Sequence, residues 1–368
     1  MNAESFFVIG ATHHEAPISV REKLALTAEA ELALHRELAA CPAVSELAIL
    51  STCNRIEFYG VAADSAAAAV VEHRFREQVG FEAAEFASIR LRLEGIAAVR
   101  HLFEVAAGVD SQMIGENEIF GQVKEAYATA AARGSAGPLL NRIFQKAFQA
   151  AKHVRTHTSI SAGQVSVANV AVDLAQNVFG NLAPLRVLLI GAGEIGEKTA
   201  RAFQSRGVSR LTLSSRRLEK TLAIAEGLGA GTLPFEQRES QLADFDVAVC
   251  ATAAPTAVIS AVSVSSAVRR RAGRPLLLLD LALPRDVEAL AAEVPNAFLY
   301  NLDDLAAIAS ENRTARASEV ERCRQILGER TEFLWRDLAA RAAVEAAARR
   351  FHTDKSGETP LPPAGATS

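Results

Sequence analysis

Cys53 stands in the run S-T-C-N-R, a polar break between two apolar, strand-like stretches at 46–50 and 56–61. A thiol held at a strand end, with the guanidinium of Arg55 two residues away, is exposed and kept partly as thiolate, the form that attacks an electrophilic carbon. Thr52 and Asn54 flank it and offer a hydroxyl and an amide to a captured group. Arg55 suits a carboxylate, because the two groups pair through parallel hydrogen bonds. Far along the chain, G-A-G-E-I-G occupies 191–196, after a buried run and before a helical pattern. A nucleophilic sulfur in one section and a dinucleotide turn in another point to capture of an acyl group followed by its reduction.

The glycine turn reads in detail. Gly191 permits a tight bend, Gly193 lets backbone approach a pyrophosphate, and Gly196 allows helix and strand to pack closely. With Ala192, Glu194 and Ile195 they form a cradle at the positive end of the next helix. The following strand ends in Ser214, Ser215, Arg216 and Arg217, where an NAD site usually places a carboxylate. Two hydroxyls and two guanidinium groups suit a 2′-phosphate, so NADPH is the expected cofactor. The plainer alternative is that Arg216 and Arg217 only open a solvated helix.

These groups need a scaffold, and 368 residues exceed one ordinary core, so two or three domains are expected. The net charge of −4 argues against a generic polyanion binder but leaves room for a local basic face. Residues 141–157 offer one, with Arg142, Lys146, Lys152, Arg155 and two histidines but no acid. No apolar run nears the roughly 20 residues that span a bilayer. The chain enters an apolar strand at Phe6 without a leader pattern, so a cytoplasmic protein is expected. Cys41, Cys53, Cys250 and Cys323 are dispersed, which predicts free thiols and no metal site.

Strand patterns at 6–12, 46–51, 55–61 and 88–93, with helices at 27–40 and 66–79, predict a ferredoxin-like α/β unit. Helical periodicity then covers 95–107, 117–133, 138–156 and 164–179. Near-continuous apolar runs at 185–190, 210–213, 246–251 and 276–281, separated by helices, predict a parallel sheet covered on both faces. Beyond 303 the chain turns helical and charged. There Val320, Ile326, Leu327, Phe333, Leu334 and Leu338 form an apolar stripe, expected to pair with a partner helix or with a second copy. From 350 onward the composition predicts disorder.

Five motifs in order between 11 and about 304 carry a family resemblance: A-T-H-H-E-A-P-I-S-V-R-E-K-L, S-T-C-N-R-I-E-F-Y, G-V-D-S-Q-M-I-G-E-N-E-I-F-G-Q-V-K-E-A-Y, G-A-G-E-I-G and D-L-A-L-P-R-D-V-E. Together they resemble the glutamyl-tRNA reductases. The resemblance implies NADPH-dependent reduction of glutamyl-tRNA(Glu) to glutamate-1-semialdehyde through a cysteine thioester, the first step of 5-aminolevulinate and tetrapyrrole synthesis by the C5 pathway. It implies a catalytic, tRNA-binding domain over 1–160 and a Rossmann-type NADP-binding domain over 161–304. A helical dimerisation domain over 305–349 and a tail over 350–368 would follow. A long helix joins the domains in a V-shaped homodimer paired through C-terminal helices. The unstable aldehyde makes hand-over to glutamate-1-semialdehyde aminomutase an expected interaction.

By the same resemblance His101 is the expected proton donor to the leaving oxygen, with a site-shaping histidine as the alternative. Ser111, Glu116, Asn117, Glu118 and Gln122 are the implied substrate contacts, Glu116 facing the α-ammonium group. His13 and His14 are weaker candidates. Glu118 departs from the glutamine common in the family, and T-A-A-P at 252–255 lacks a hydroxyl of the usual T-A-S-P. Because Cys53 and Gly191 fall in different domains, closure between them is expected to be required. A shikimate-dehydrogenase-like enzyme would fit the second section but needs no thiol. An idle tRNA-binding protein would have no use for Cys53, His101 and the glycine turn together.

Overall fold

The computed structural model describes residues 3–112, 118–160, 166–310 and 317–355. A first sheet contains β1 (Phe6–Thr12), β2 (Val44–Ser51), β3 (Arg55–Ala62) and β4 (Arg90–Glu94), antiparallel in the order β2-β3-β1-β4. Between β1 and β2 run α1 (Ile18–Leu24) and α2 (Ala28–Ala39); between β3 and β4 run α3 (Ala67–Val79) and α4 (Ala83–Ala87). This β-α-β-β-α-β succession and strand order follow the ferredoxin-like pattern. Helix α2 begins where Thr27 caps it, the hydroxyl accepting from the Ala30 amide at 3.2 Å.

Strand alternation sends Phe7, Ile9, Ile56 and Phe58 to a core under α2 and α3. Phe6, Val8 and Tyr59 face the opposite core under α5 (Gly95–Ala107), α6 (Glu118–Ala132) and α7 (Pro138–His157). Glu46 of β2 reaches that second layer and accepts the Leu139 and Leu140 amides at 3.2 and 2.7 Å, capping α7 from outside its own chain segment.

After α8 (Val167–Phe179) a second sheet begins. Its strands are β5 (Arg186–Ile190), β6 (Arg210–Ser214), β7 (Gly231–Thr232), β8 (Val247–Cys250), β9 (Leu276–Asp280) and β10 (Ala297–Asn301). They are parallel and ordered β10-β9-β8-β5-β6-β7, the doubly wound order that opens a crevice where direction reverses at β5. Helices α9 (Glu194–Ser205), α10 (Leu218–Leu228), α11 (Ala261–Arg270) and α12 (Leu302–Ser310) accompany the sheet.

The last helix, α13 (Ala317–Lys355), takes the first of the two pairings expected of its apolar stripe. Val320, Leu327, Leu334 and Leu338 are buried in the first domain's core together with Cys323. The apolar stripe therefore finds its partner helices, α5 and α7, within the same chain, and only Phe333 of the six is exposed. No separate helical unit over 305–349 stands apart from the first domain among the described residues. The helix continues through Lys355, past the expected start of a disordered tail; residues 356–368 lie outside the described ones, as do Arg313 and Arg316, two weaker candidates for tRNA contact.

Candidate active site

Only Thr52, Cys53 and Asn54 join β2 to β3. The Thr52 hydroxyl closes this turn by accepting the amides of Asn54 and Arg55 at 3.1 and 3.2 Å, while its own amide donates to the Arg55 carbonyl at 2.9 Å. Cys53 at its tip is half-buried. Arg21 of α1 supports the turn from beneath, donating to the Cys53 carbonyl at 2.7 Å and the Asn54 side-chain oxygen at 2.6 Å.

Alternation along β3 aims Arg55, Glu57 and Tyr59 at α5. Arg55 was expected to receive a substrate carboxylate, but its side chain is 1% exposed and its charge is already matched. It donates to Glu57 at 2.9 Å and to Asp110 at 3.0 Å, and also to the Asp110 carbonyl. Burial pushes the Glu57 carboxyl up, but Arg55 and His101 outweigh it and hold it at about 2. The Asp110 carboxyl is likewise held low against burial, by the His14 hydrogen bond and by Arg55. Burial and the neighbouring His14 and Arg55 charges push His13 down to about 3, so it is neutral at pH 7.

His101 belongs to the same network. Its Nε2 sits 2.9 Å from Glu57, whose other oxygen accepts the Tyr59 hydroxyl. The side chain is not among those lining the Cys53 pocket; it pairs with Glu57. It braces the carboxylate that braces Arg55.

Six of the expected substrate residues do converge: Thr52, Asn54, Arg55, Ser111, Glu118 and Gln122 line one pocket with Cys53. Ser111 is buried, and its hydroxyl has no hydrogen-bond partner among the described residues. Glu116 and Asn117 lie outside the described residues. Glu118, the departure from glutamine, pairs at 3.2 Å with Lys198 of α9, so its extra charge is met across the domain boundary.

A larger cavity of about 930 Å³ continues from Cys53 to the glycine turn. Sulfur and turn border the same space, so any closing movement between the domains would act across this cavity. Gly191, Ala192, Gly193, Glu194 and Ile195 line it, as do Ser215, Arg216 and Arg217. Gly191 has φ +118°, and a Cβ there would sit 2.3 Å from the Ala251 carbonyl oxygen. Gly196 does the helix–strand packing expected of it, whereas Ser214, an expected contact, turns inward. Gly196 packs under the turn, where a Cβ would meet Leu189 at 3.1 Å, and Ser214 is buried in β6. The shortened T-A-A-P motif also changes less than expected: Ala254, at the missing hydroxyl, is buried in core, whereas Thr252 and Ala253 face the cleft.

The residues present fit a dinucleotide. A glycine-bordered turn heads α9, and Ser215, Arg216, Arg217 and Lys220 gather one hydroxyl and three cations at the end of β6. Beside them Phe235 offers an aromatic face that Arg238 covers at 4.1 Å. Below the cleft, burial raises the Asp280 carboxyl to about 7, even though it accepts the Ala282, Asp286 and Val287 amides.

The family model described as "Glutamyl-tRNAGlu reductase, N-terminal domain" matches residues 9–158, and that described as "Shikimate / quinate 5-dehydrogenase" matches 173–308. A protein named glutamyl-tRNA reductase 2 from Anaeromyxobacter dehalogenans (strain 2CP-C) is 37% identical over 350 residues, covering 95% of this chain and 77% of the relative. The glutamyl-tRNA reductase of Xanthomonas axonopodis pv. citri (strain 306) is 40% identical over 88% of this chain and 74% of its own. The chain belongs to the glutamyl-tRNA reductase family. The solved glutamyl-tRNA reductase from Methanopyrus kandleri shares the fold with TM-score 0.54 and 33% identity, over 96% of this chain and 86% of that one.

Membership makes the chain an oxidoreductase with a nicotinamide-binding domain. Several residues of this family member's site escaped sequence reasoning. Arg21 and Gln112 lie inside the first and third quoted motifs without having been singled out, whereas Lys198 on α9 lies outside all five. Lys220 was findable in principle, since it lies three residues after the S-S-R-R run.

Proposed function

We propose that this chain reduces glutamyl-tRNA(Glu) to glutamate-1-semialdehyde with NADPH, opening tetrapyrrole synthesis by the C5 pathway. The observation that carries the reading is Cys53 bordering the same cavity as the glycine turn. The Cys53 sulfur attacks the ester carbonyl, forming a C–S bond as the bond to the 3′-terminal ribose oxygen breaks and that oxygen takes a proton. A thioester accepts hydride more readily than an ester, so one hard step becomes two easier ones. Gly191–Gly193 and Arg216–Arg217 would hold NADPH, which when bound would supply a hydride to the acyl carbon, so that aldehyde, NADP+ and the Cys53 thiolate result.

The remaining side chains orient the glutamyl group. Glu118 offers its carboxylate to the α-ammonium, and Lys198 offers its ammonium to the side-chain carboxylate. The unpartnered Ser111 hydroxyl supplies a hydrogen bond. His101 keeps Glu57 and Arg55 ionised and in place rather than moving a proton at the thioester. Lys146 and Lys152 on α7 are the basic residues left for tRNA phosphates, because Arg142 bonds Asp337 and Arg155 lies over Phe120 at 5.3 Å. Pairing of two copies through C-terminal helices and hand-over to glutamate-1-semialdehyde aminomutase complete the reading; crosslinking of the full chain tests both. Among the described residues no helix is long and apolar enough to cross a membrane.

Replacement of Cys53 by serine tests the reading directly. NADPH oxidation driven by charged tRNA is expected to fall at least about a thousandfold. Unchanged turnover would remove the thioester from the account.

A further inference from the structure

The turn that carries Cys53 is short, and part of its support comes from the other domain. Arg21 is 4% exposed, and its hydrogen bonds converge on this region. Its Nη1 donates to the Cys53 carbonyl at 2.7 Å and to Asn54 Oδ1 at 2.6 Å, and its Nε donates to the Ala16 carbonyl at 3.1 Å. Its Nη2 donates to Asp303, at the start of α12 just beyond β10. Asp303 is itself fixed from both domains. Asn301 Oδ1 accepts its amide at 2.8 Å, and Gln112 Nε2 donates to its Oδ1 at 2.7 Å.

A buried guanidinium is tolerated when a carboxylate balances it, and removing that carboxylate leaves an uncompensated charge. The carboxylate that does so for Arg21 comes from the nucleotide-binding domain, while the carbonyl and amide that Arg21 holds belong to the nucleophile's turn. We propose that Asp303 is a positioning residue for Cys53, acting through Arg21, so that docking of the second domain sets the geometry of the sulfur. The proposal rests on the reading of Cys53 as acyl acceptor. Asp303 does not line the cofactor cleft, which separates this role from cofactor binding.

The test compares the full chain with Asp303→Ala and Asp303→Asn. Hydrogen exchange is followed by peptide mapping, and turnover with glutamyl-tRNA in parallel. In Asp303→Ala the Asn54 and Arg55 amides, which rest on Thr52 in the parent, are expected to exchange about tenfold faster. The rest of β2 and β3 keeps its protection. The kcat falls about tenfold or more, while the KM for NADPH stays within about twofold. Asn keeps an oxygen for Arg21, so Asp303→Asn lies between parent and alanine variant on both readouts. Unchanged exchange at the turn, faster exchange spread evenly through both strands, or an asparagine variant no better than alanine overturns the proposal. Failure of the Cys53 reading itself appears separately, as a parent chain that takes up no glutamyl label on that residue.

Discussion

Arg55 shows how a side chain's meaning depends on partners that lie far along the chain. Beside a thiol it reads as a free cation for a substrate, yet Glu57 and Asp110 claim it, and His101 and His14 stand behind them. The strand's alternation made Glu57 a foreseeable neighbour. Asp110 and His101 arrive only because α5 packs on that face, which no local pattern records. The network carries a pH signature. Glu57 is held below the ordinary 4.5, so its stabilisation is full above about 4.5 and is lost as pH falls from there towards 2. Glu57→Gln leaves Arg55 undercompensated and is expected to cost about 3 kcal/mol at pH 7. The gap to the parent should narrow as the pH falls towards 3. Trp335, the single tryptophan, packs on the first domain's core and reports its urea unfolding. A gap that stays constant from pH 7 to pH 3 would contradict the assignment.

Helices and strands were legible where their ends carry a mechanism. The α5 helix starts and stops as expected because Gly108 takes the left-handed conformation that ends it, and β1 is bounded by its apolar run. Strand β10 was missed because its apolar run, A-F-L-Y, is short and leads straight into a helix, and at the sheet edge only Ala297 of it is buried. The α13 stripe was seen, but periodicity cannot say whether the covering helix comes from the same chain. Between β5 and α9 the turn permits a sharper test. Gly191→Ala combines a left-handed φ with a Cβ 2.3 Å from the Ala251 carbonyl oxygen, so the turn must shift. Fluorescence titration is expected to show NADPH affinity lowered at least about tenfold. Binding within twofold of the parent would mean the turn is not the pyrophosphate cradle.

Among the described residues, polar clusters that cross between the domains include Glu118 with Lys198, Arg21 and Gln112 with Asp303, and Glu22 with Arg285. The last is a fork in which Glu22 accepts from Arg285 Nε and Nη2 at 2.7 Å each and from its amide at 2.8 Å. Bidentate geometry lifts such a pair above the usual small value of exposed ion pairs. Each of Glu22→Ala and Arg285→Ala is expected to lower kcat/KM about fivefold, and the double variant no further, for a coupling of about 1 kcal/mol. Fully additive losses would show that the two residues do not act together. None of these contacts was readable beforehand, since each joins residues that share no motif.

The arrangement as a whole matters because it sets a thiol and a dinucleotide turn around one space, and the order of events there can be observed. Full-length protein is mixed with tRNA carrying radiolabelled glutamate, without NADPH, then denatured, digested and mapped. The account predicts label on the peptide containing Cys53, released by hydroxylamine or thiol and absent from Cys53→Ser. Label that never reaches that peptide, while added NADPH still yields the aldehyde, would contradict it.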